Sequence, residues 1–488
     1  MSLHLLPIEV LSLILQEVDC PRDLFSLVGL SGPCFRAYES APNLILSSVL
    51  RNAIAPTVLH HALAILNVPD APGPDPQTEV LEGFIDRYLQ AGSSFEFPAD
   101  TAAMTALRRL HSRISYFVDD YSSRTMRALA TKPDGQQGAG WDLSSSERAR
   151  FQRAFFRYEL YSLVFPVDHS VLRHSLFPAD LQFARFLAHM EPWEVEEMSC
   201  VHHYFTSRIE GLIDRLEDQV VEAVLSAPGV RSSPSHPILA EPLILDSLGP
   251  SSQPTQLRDD SEPPGRSDKS ERGGSPDDDD DDDYDDDSMV RFNSLDLLDL
   301  DLFSRGGRFR LPEIVSYLAS LGSGFLHELL VADNDERKDI IRRNSPLSRD
   351  FLPEAVDQAP ATGPRTVIPG DIANDDDPRR PSLGYYSFKR PDQDVYLEIS
   401  HEGILNAPLR ERAFVFWDAA RVTQPMVRDS LREASQARTD EVNRILNRHE
   451  RQSPEERLEG VKMPRAVMDT IMAEFGSTFD WVSQLPSP

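Results

Sequence analysis

Apolar positions recur at spacings of three and four residues through most of the chain, the signature of helices with one buried face. Pro7 is placed as the first residue of a helix. Behind it Ile8, Leu11, Leu15 and Val18 form a stripe that Val10 and Ile14 widen. Pro21 restarts the chain the same way, and Leu24, Leu27, Val28 and Leu30 give a short second helix ending before Gly32-Pro33. A third helix is predicted over residues 43–54, and a fourth after Thr57, read as its N-cap. Further on, helices are predicted over 79–90, capped by Thr78, and from Asp100 through Met104, Leu107, Leu110, Ile114 and Phe117. Ser144-Ser145-Ser146-Glu147 reads as a capping box opening another helix. The longest helix follows Pro192 and carries Val195, Met198, Val201, Phe205, Ile209, Leu212, Leu216 and Val220.

Breaks in this pattern divide the chain. The divisions are a helical unit over 1–68, a proline-rich linker over 69–77, a helical body over 78–227 and an acidic linker over 228–288. A helical segment over 289–343, a second linker over 344–381 and a mostly helical segment over 382–488 complete it. Tyr385, Phe388, Val395, Tyr396, Leu397 and Ile399 around Arg390-Pro391-Asp392-Gln393 predict one small β-hairpin in an otherwise all-α fold. Both longer linkers are predicted to be disordered. Between Asp259 and Asp287 fifteen carboxylates face only Arg266, Lys269 and Arg272, with almost nothing apolar to offset the entropy of ordering.

The net charge of −30 argues against nonspecific nucleic-acid binding and against docking on anionic lipid, both of which need cationic surfaces. No apolar run approaches the length of a membrane span, and Pro7, Glu9 and Gln16 interrupt any secretory core, so neither a membrane nor a leader peptide is expected. Three scattered cysteines fit a reducing, intracellular setting, with nucleus and cytoplasm both open.

Chemistry-bearing motifs mostly fail, and no enzyme or cofactor is expected. No phosphate-binding glycine loop occurs. Pro33 stands where a nucleophile elbow needs its second glycine, and Val331 replaces the second histidine of the zinc-protease helix begun by His327-Glu328. Cys200, His202 and His203 have metal-ligand atoms but lack a second pair at zinc spacing, so no metal is expected there. His60 and His61 are placed on a helix surface. The acidic strip, with Asp277, Asp280, Asp283, Asp285 and Asp287, reads as a solvating linker, as a docking strip for a basic protein or, least of all, as a calcium site.

The opening Leu6-Pro7-Ile8-Glu9-Val10-Leu11, the following Ile14, Leu15 and Val18, and Pro21-Arg22-Asp23-Leu24 with Leu27 resemble the F-box motif over about fifty residues. Phe155-Phe156-Arg157-Tyr158, Pro192-Trp193-Glu194-Val195 and Phe414-Val415-Phe416-Trp417-Asp418 are similar to motifs of fungal F-box-like proteins of unassigned function. The resemblance implies a non-catalytic adaptor that docks to the Skp adaptor of a cullin ubiquitin ligase and presents a protein target. It implies contacts by Leu6, Pro7, Ile8, Val10, Leu11, Ile14, Leu24 and Leu27; the other reading has these residues pack within the chain. The aromatic expected after the Cys-Arg segment is missing, with Phe35 and Tyr38 nearby. Trp193, Trp417 and the aromatics around Phe155 are candidates to anchor the target, against the alternative of core packing. A scaffold that keeps the fold without ligase assembly, its acidic strip recruiting basic partners, is the alternative function.

Overall fold

Proline starts helices here more than it stops them. The N–H that proline lacks would be unpaired in a first turn anyway, so the ring costs nothing there. In the structure, a computed structural model, α1 (Ile8–Gln16) follows Pro7, while α2 (Pro21–Leu30), α4 (Pro42–Ala53) and α5 (Pro56–Leu66) begin on proline. α3 (Gly32–Ser40) carries Pro33 in its first turn, and the Ser31 hydroxyl accepts from the Cys34 N–H to cap it. The described residues are 6–69, 77–90, 94–130, 142–166, 177–230, 289–291, 314–333, 351–359, 379–388, 406–436 and 461–467, with a few isolated positions.

The body is built from α6 (Gln77–Leu89), α7 (Thr101–Ala130), α8 (Ser145–Val164), the short α9 (Ala179–Arg185) and the 35-residue α10 (Pro192–Ser226). Asp100 caps α7 by accepting from the Ala103 N–H at 2.8 Å. The capping box at α8 is formed: Ser144 Oγ accepts from the Glu147 N–H, and the Glu147 carboxylate accepts from the Ser144 N–H. Every residue of α8 except Ser145, Arg148, Arg157 and Leu163 is buried, so it is the central helix of the molecule. α5, α7 and α10 pack around it, and α4 lies against α7. α11 (Ile314–Ser320) and α12 (Gly322–Val331) extend this layer. One contiguous core runs from Leu11 to Met463, so the four helical divisions read from the sequence share it.

The all-α class holds. Among the described residues the only strand pairing joins Met289–Arg291 to Lys462–Pro464, antiparallel and three residues long. It is a long-range pairing and not the predicted hairpin, whose first arm is instead the helix Leu383–Phe388. Thr57 is not a cap either: Ala55 holds that position and Thr57 lies inside α5. The acidic strip, with Asp277, Asp280, Asp283, Asp285 and Asp287, and the first predicted linker beyond Val230 lie outside the described residues. The second predicted linker is corrected in part: residues 351–359 are described, and the helix Leu352–Val356 buries Leu352, Ala355 and Val356, with Phe351 before it, in the common core.

The C-terminal segment closes the core against α7, α8 and α10. Its short helices Ala407–Glu411 and Ala419–Val422 flank Phe414-Val415-Phe416-Trp417, and all four of those side chains are buried. The Phe416 ring stacks on Phe151 at 4.0 Å between centroids, and Trp417 Nε1 donates to the Arg412 carbonyl at 2.7 Å. Ala413, just before them, adopts a left-handed φ of +50°. Gly384 donates its N–H to the Trp417 carbonyl, and a Cβ at that position would overlap the Phe414 carbonyl oxygen. Backbone atoms on both sides leave no room to relax. Gly384→Ala is therefore expected to cost about 3 kcal/mol, measured as a lowered urea midpoint; an unchanged midpoint would contradict this packing.

Candidate docking face at the N-terminal helices

Two leucines of the first stripe turn inward. Leu11 (2% exposed) and Leu15 on α1, with Leu24 (0% exposed) and Val28 on α2, pack into the core. α1 rests on α3 and α4. Asn52 Nδ2 of α4 donates to the Gln16 carbonyl at 2.8 Å and faces that of Val18 at 3.3 Å, so the last turn of α1 is tied to its neighbour.

The complementary residues face outward. Val10, Leu13 and Ile14 follow one another at spacings of three and one, a single side of α1, and Leu13 is 62% exposed. Ile8 is exposed on the opposite flank of the same helix. Phe25 and Leu30 of α2, Phe35 of α3 and Leu44 of α4 are exposed as well, Leu30 at 89%. Among the described residues thirteen large hydrophobic side chains are exposed, and eight of them fall between Ile8 and Leu44. Single exposed leucines are ordinary, but this concentration on four short helices is not. Phe25 is held in place: it meets Tyr38 edge-on at 5.9 Å, and the Arg108 guanidinium of α7 lies 5.1 Å over its ring.

Of the contacts that the F-box resemblance implies, Pro7, Ile8, Val10 and Ile14 are exposed, and Leu6 and Leu27 are half-buried. Leu11 and Leu24 are corrected: both are sealed inside the chain's own core and cannot reach a partner. Leu13, Leu30, Phe35 and Leu44 were missed. Leu13 lies off the stripe of Leu11 and Leu15, and an apolar residue on the outward side is the available signal.

The remaining candidates are structural. Trp193, Trp417 and Phe155 are buried and do not anchor a target. His61 is buried, with Nδ1 2.8 Å from the Tyr88 hydroxyl, and His60 stacks on the Tyr88 ring at 5.3 Å, so this pair lines an aromatic cluster and not a free surface. Cys200 lies in the core, where burial first and the Glu196 carboxylate next push its thiol well up, unsuited to act as a nucleophile. His202 Nδ1 lies 2.9 Å from the Tyr158 hydroxyl, which itself donates to the Ala319 carbonyl. Burial, with the Arg410 charge adding to it, brings His202 down to about 3. His111, buried beside Ser115, is brought down to about 4. Among the described residues no group of His, Cys, Asp and Glu is arranged to hold a metal.

Leu24→Ala is expected to cost about 2–5 kcal/mol, whereas Val10→Asp with Ile14→Asp leaves the urea midpoint within about 1 kcal/mol. Equal losses would mean that the face is not free. The two histidines also fix a pH dependence. Their folded pKa values lie below the unfolded value, so the unfolded chain takes up protons first as the pH drops. Stability is full above about pH 6.5 and falls by about 1.4 kcal/mol per unit and per histidine below it. Urea titrations at neutral and mildly acid pH should show this fall, and His202→Gln should remove one proton's share of the slope. A slope unchanged in that variant would contradict the assignment. No family model, no curated protein and no solved structure matches this chain.

Proposed function

We propose that the chain is a non-catalytic adaptor. Its N-terminal helices dock to the Skp adaptor of a cullin ubiquitin ligase, and its helical body presents a protein target. The observation that carries this reading is the coincidence of two features on one stretch. The F-box-like pattern begins at Leu6, and the densest set of exposed apolar side chains runs from Ile8 to Leu44. Val10, Leu13 and Ile14 supply the centre, with Leu30, Phe35 and Leu44 as further contacts. Leu11 and Leu24 serve this surface from beneath by fixing α1 and α2 on the core.

The magnitudes are compatible with a real but not extreme interaction. Seven side chains, Ile8 on the other flank of α1 being set aside, are already partly covered and release roughly 8 kcal/mol on burial. Association costs about 4–15 kcal/mol in lost freedom, so apolar burial offsets the lower part of that range and polar contacts must add to it.

Size-exclusion chromatography of the full-length chain with purified Skp adaptor tests the reading. A complex at micromolar concentration is expected, and Val10→Asp with Ile14→Asp should abolish it. Leu163→Asp, at an exposed leucine outside this face, should leave it intact. Failure of the unaltered chain to form the complex, or equal binding by the double variant, overturns the proposal.

A further inference from the structure

α6 presents Leu81, Phe84, Ile85 and Tyr88 at spacings of three, one and three, and all four are buried, while its other side faces water. Among the described residues no other helix runs closely along it, so the tips of its side chains hold it to the body. Glu82 contributes a loose ion pair to Arg185 at 3.5 Å. The hold centres on Tyr88. Its ring is layered between those of His60 at 5.3 Å and Phe186 at 5.7 Å, with interplanar angles of 12° and 7°. Its hydroxyl lies 2.8 Å from Nδ1 of the buried His61 and faces the Arg157 guanidinium. Arg157 in turn is paired with Glu194 at 2.7 Å, and the Glu194 carboxylate also accepts from the Glu191 N–H in the capping box of α10. Glu194, Arg157, Tyr88 and His61 thus form one polar line through α10, α8, α6 and α5.

The direction of that line fixes the proton on His61. A guanidinium only donates, so the Tyr88 oxygen receives on the Arg157 side and its single proton is left for His61. Nδ1 therefore accepts, and Nε2 carries the proton of the neutral ring. A second proton would have to land on Nδ1, where it meets a hydroxyl that already faces a donor. It would also place a cation beside Arg157 and Arg153 of α8, whose charges act on His61 together with that of His60 on its own helix. The carboxylates of α10 are engaged elsewhere, Glu194 with Arg157 and Glu197 with Arg153. On α7, His111 is turned to the Ala53 carbonyl. Burial first, then these cations, keep the pKa of His61 well below its usual value. His60 acts in the opposite sense: its Nε2 lies 3.3 Å from the Tyr88 carbonyl, so a protonated His60 would donate to α6 and retain it.

We propose that α6 is a proton-sensitive strap: neutral His61 clamps it through the Tyr88 hydroxyl, and a proton on His61 breaks the clamp and lets α6 lift off α5 and α8 while the rest of the core stays closed. Released from Tyr88, His61 meets water and regains its ordinary proton affinity, so the lifted form binds the proton before the clamped form does. The clamp is at full strength above about pH 6.5 and weakens as the pH falls below it. This does not rest on the adaptor reading, since α6 lies outside the N-terminal face.

Hydrogen exchange of the full-length chain, read by mass spectrometry and corrected for the intrinsic pH dependence of exchange, tests the strap. The amides of α6 are expected to exchange faster than those of α8 at every pH, because they open locally. Between pH 7 and pH 5 their protection should fall at least about tenfold. His61→Asn places a side-chain oxygen close to where Nδ1 stood, an acceptor that does not titrate, and should abolish that fall in α6. Tyr88→Phe keeps the layered ring without the hydroxyl and should speed α6 exchange about fivefold at pH 7. Equal protection of α6 and α8, protection of α6 that is flat with pH, an undiminished fall in His61→Asn, or unchanged exchange in Tyr88→Phe overturns the proposal. Thermal melts at pH 7 confirm that the variants are folded. If His61→Asn is not, nitrogen-15 labelling of histidine in the unaltered chain decides: a neutral His61 protonated at Nε2 at pH 7, lost over the pH range in which α6 opens, is expected, and a ring protonated at Nδ1 at pH 7 overturns the clamp.

Discussion

A charge removed from water has to be paired, and this requirement organises the core. α8 is buried nearly all round, yet it carries Glu147, Arg150, Arg153 and Glu159. Each is met by another part of the chain. Glu147 takes both nitrogens of a fork from Arg421, at 2.8 and 2.7 Å, and Arg153 pairs with Glu197 of α10. Arg150 reaches the Phe416 carbonyl, and Glu159 holds Arg113 and the Ser323 N–H. On α10, Glu196 takes a second fork from Arg410. Such pairs contribute little net stability, because desolvation offsets their attraction. Breaking one costs about 3–5 kcal/mol, so they act as register pins. The C-terminal segment has few residues with which to locate itself. Arg410 and Arg421 fix where it seats, and Phe416 and Trp417 fill the space between them.

The choice of cation follows from the same constraint. Of 49 cationic residues 44 are arginine and five are lysine. A planar guanidinium satisfies a buried carboxylate with two parallel N–H donors and is less strongly hydrated than an ammonium. Among the described residues the guanidiniums of Arg150, Arg153 and Arg421 are buried with Glu147, Glu159, Glu196 and Glu197, so arginine serves to satisfy carboxylates that the core already holds.

Element existence was legible where local chemistry and periodicity agreed. The Ser144–Glu147 box opens α8, Asp100 caps α7, and Pro192 starts the longest helix, as their side chains require. Residues 32–40 were read as a break because glycine and proline stand together, yet proline in a first turn is permissive and Ser31 provides the cap. The segment after Tyr385 has the aromatic content of a strand. Gly384 nevertheless needs its backbone against the Phe414 carbonyl, a tertiary demand that no local pattern records, and a helix forms there.

The candidate site shows the same boundary. Periodicity reports that Leu11 and Leu24 lie on an apolar stripe; it does not report what covers the stripe. Helices α3 and α4 of the same unit cover the stripe, and α4 and α5 in turn rest on α7, so the leucines of the stripe become core. On the opposite side Leu13, Leu30 and Leu44 keep apolar atoms in water. Leu30, 89% exposed, contributes least to its own packing, and the proposed docking surface would give these three side chains a role that the core does not.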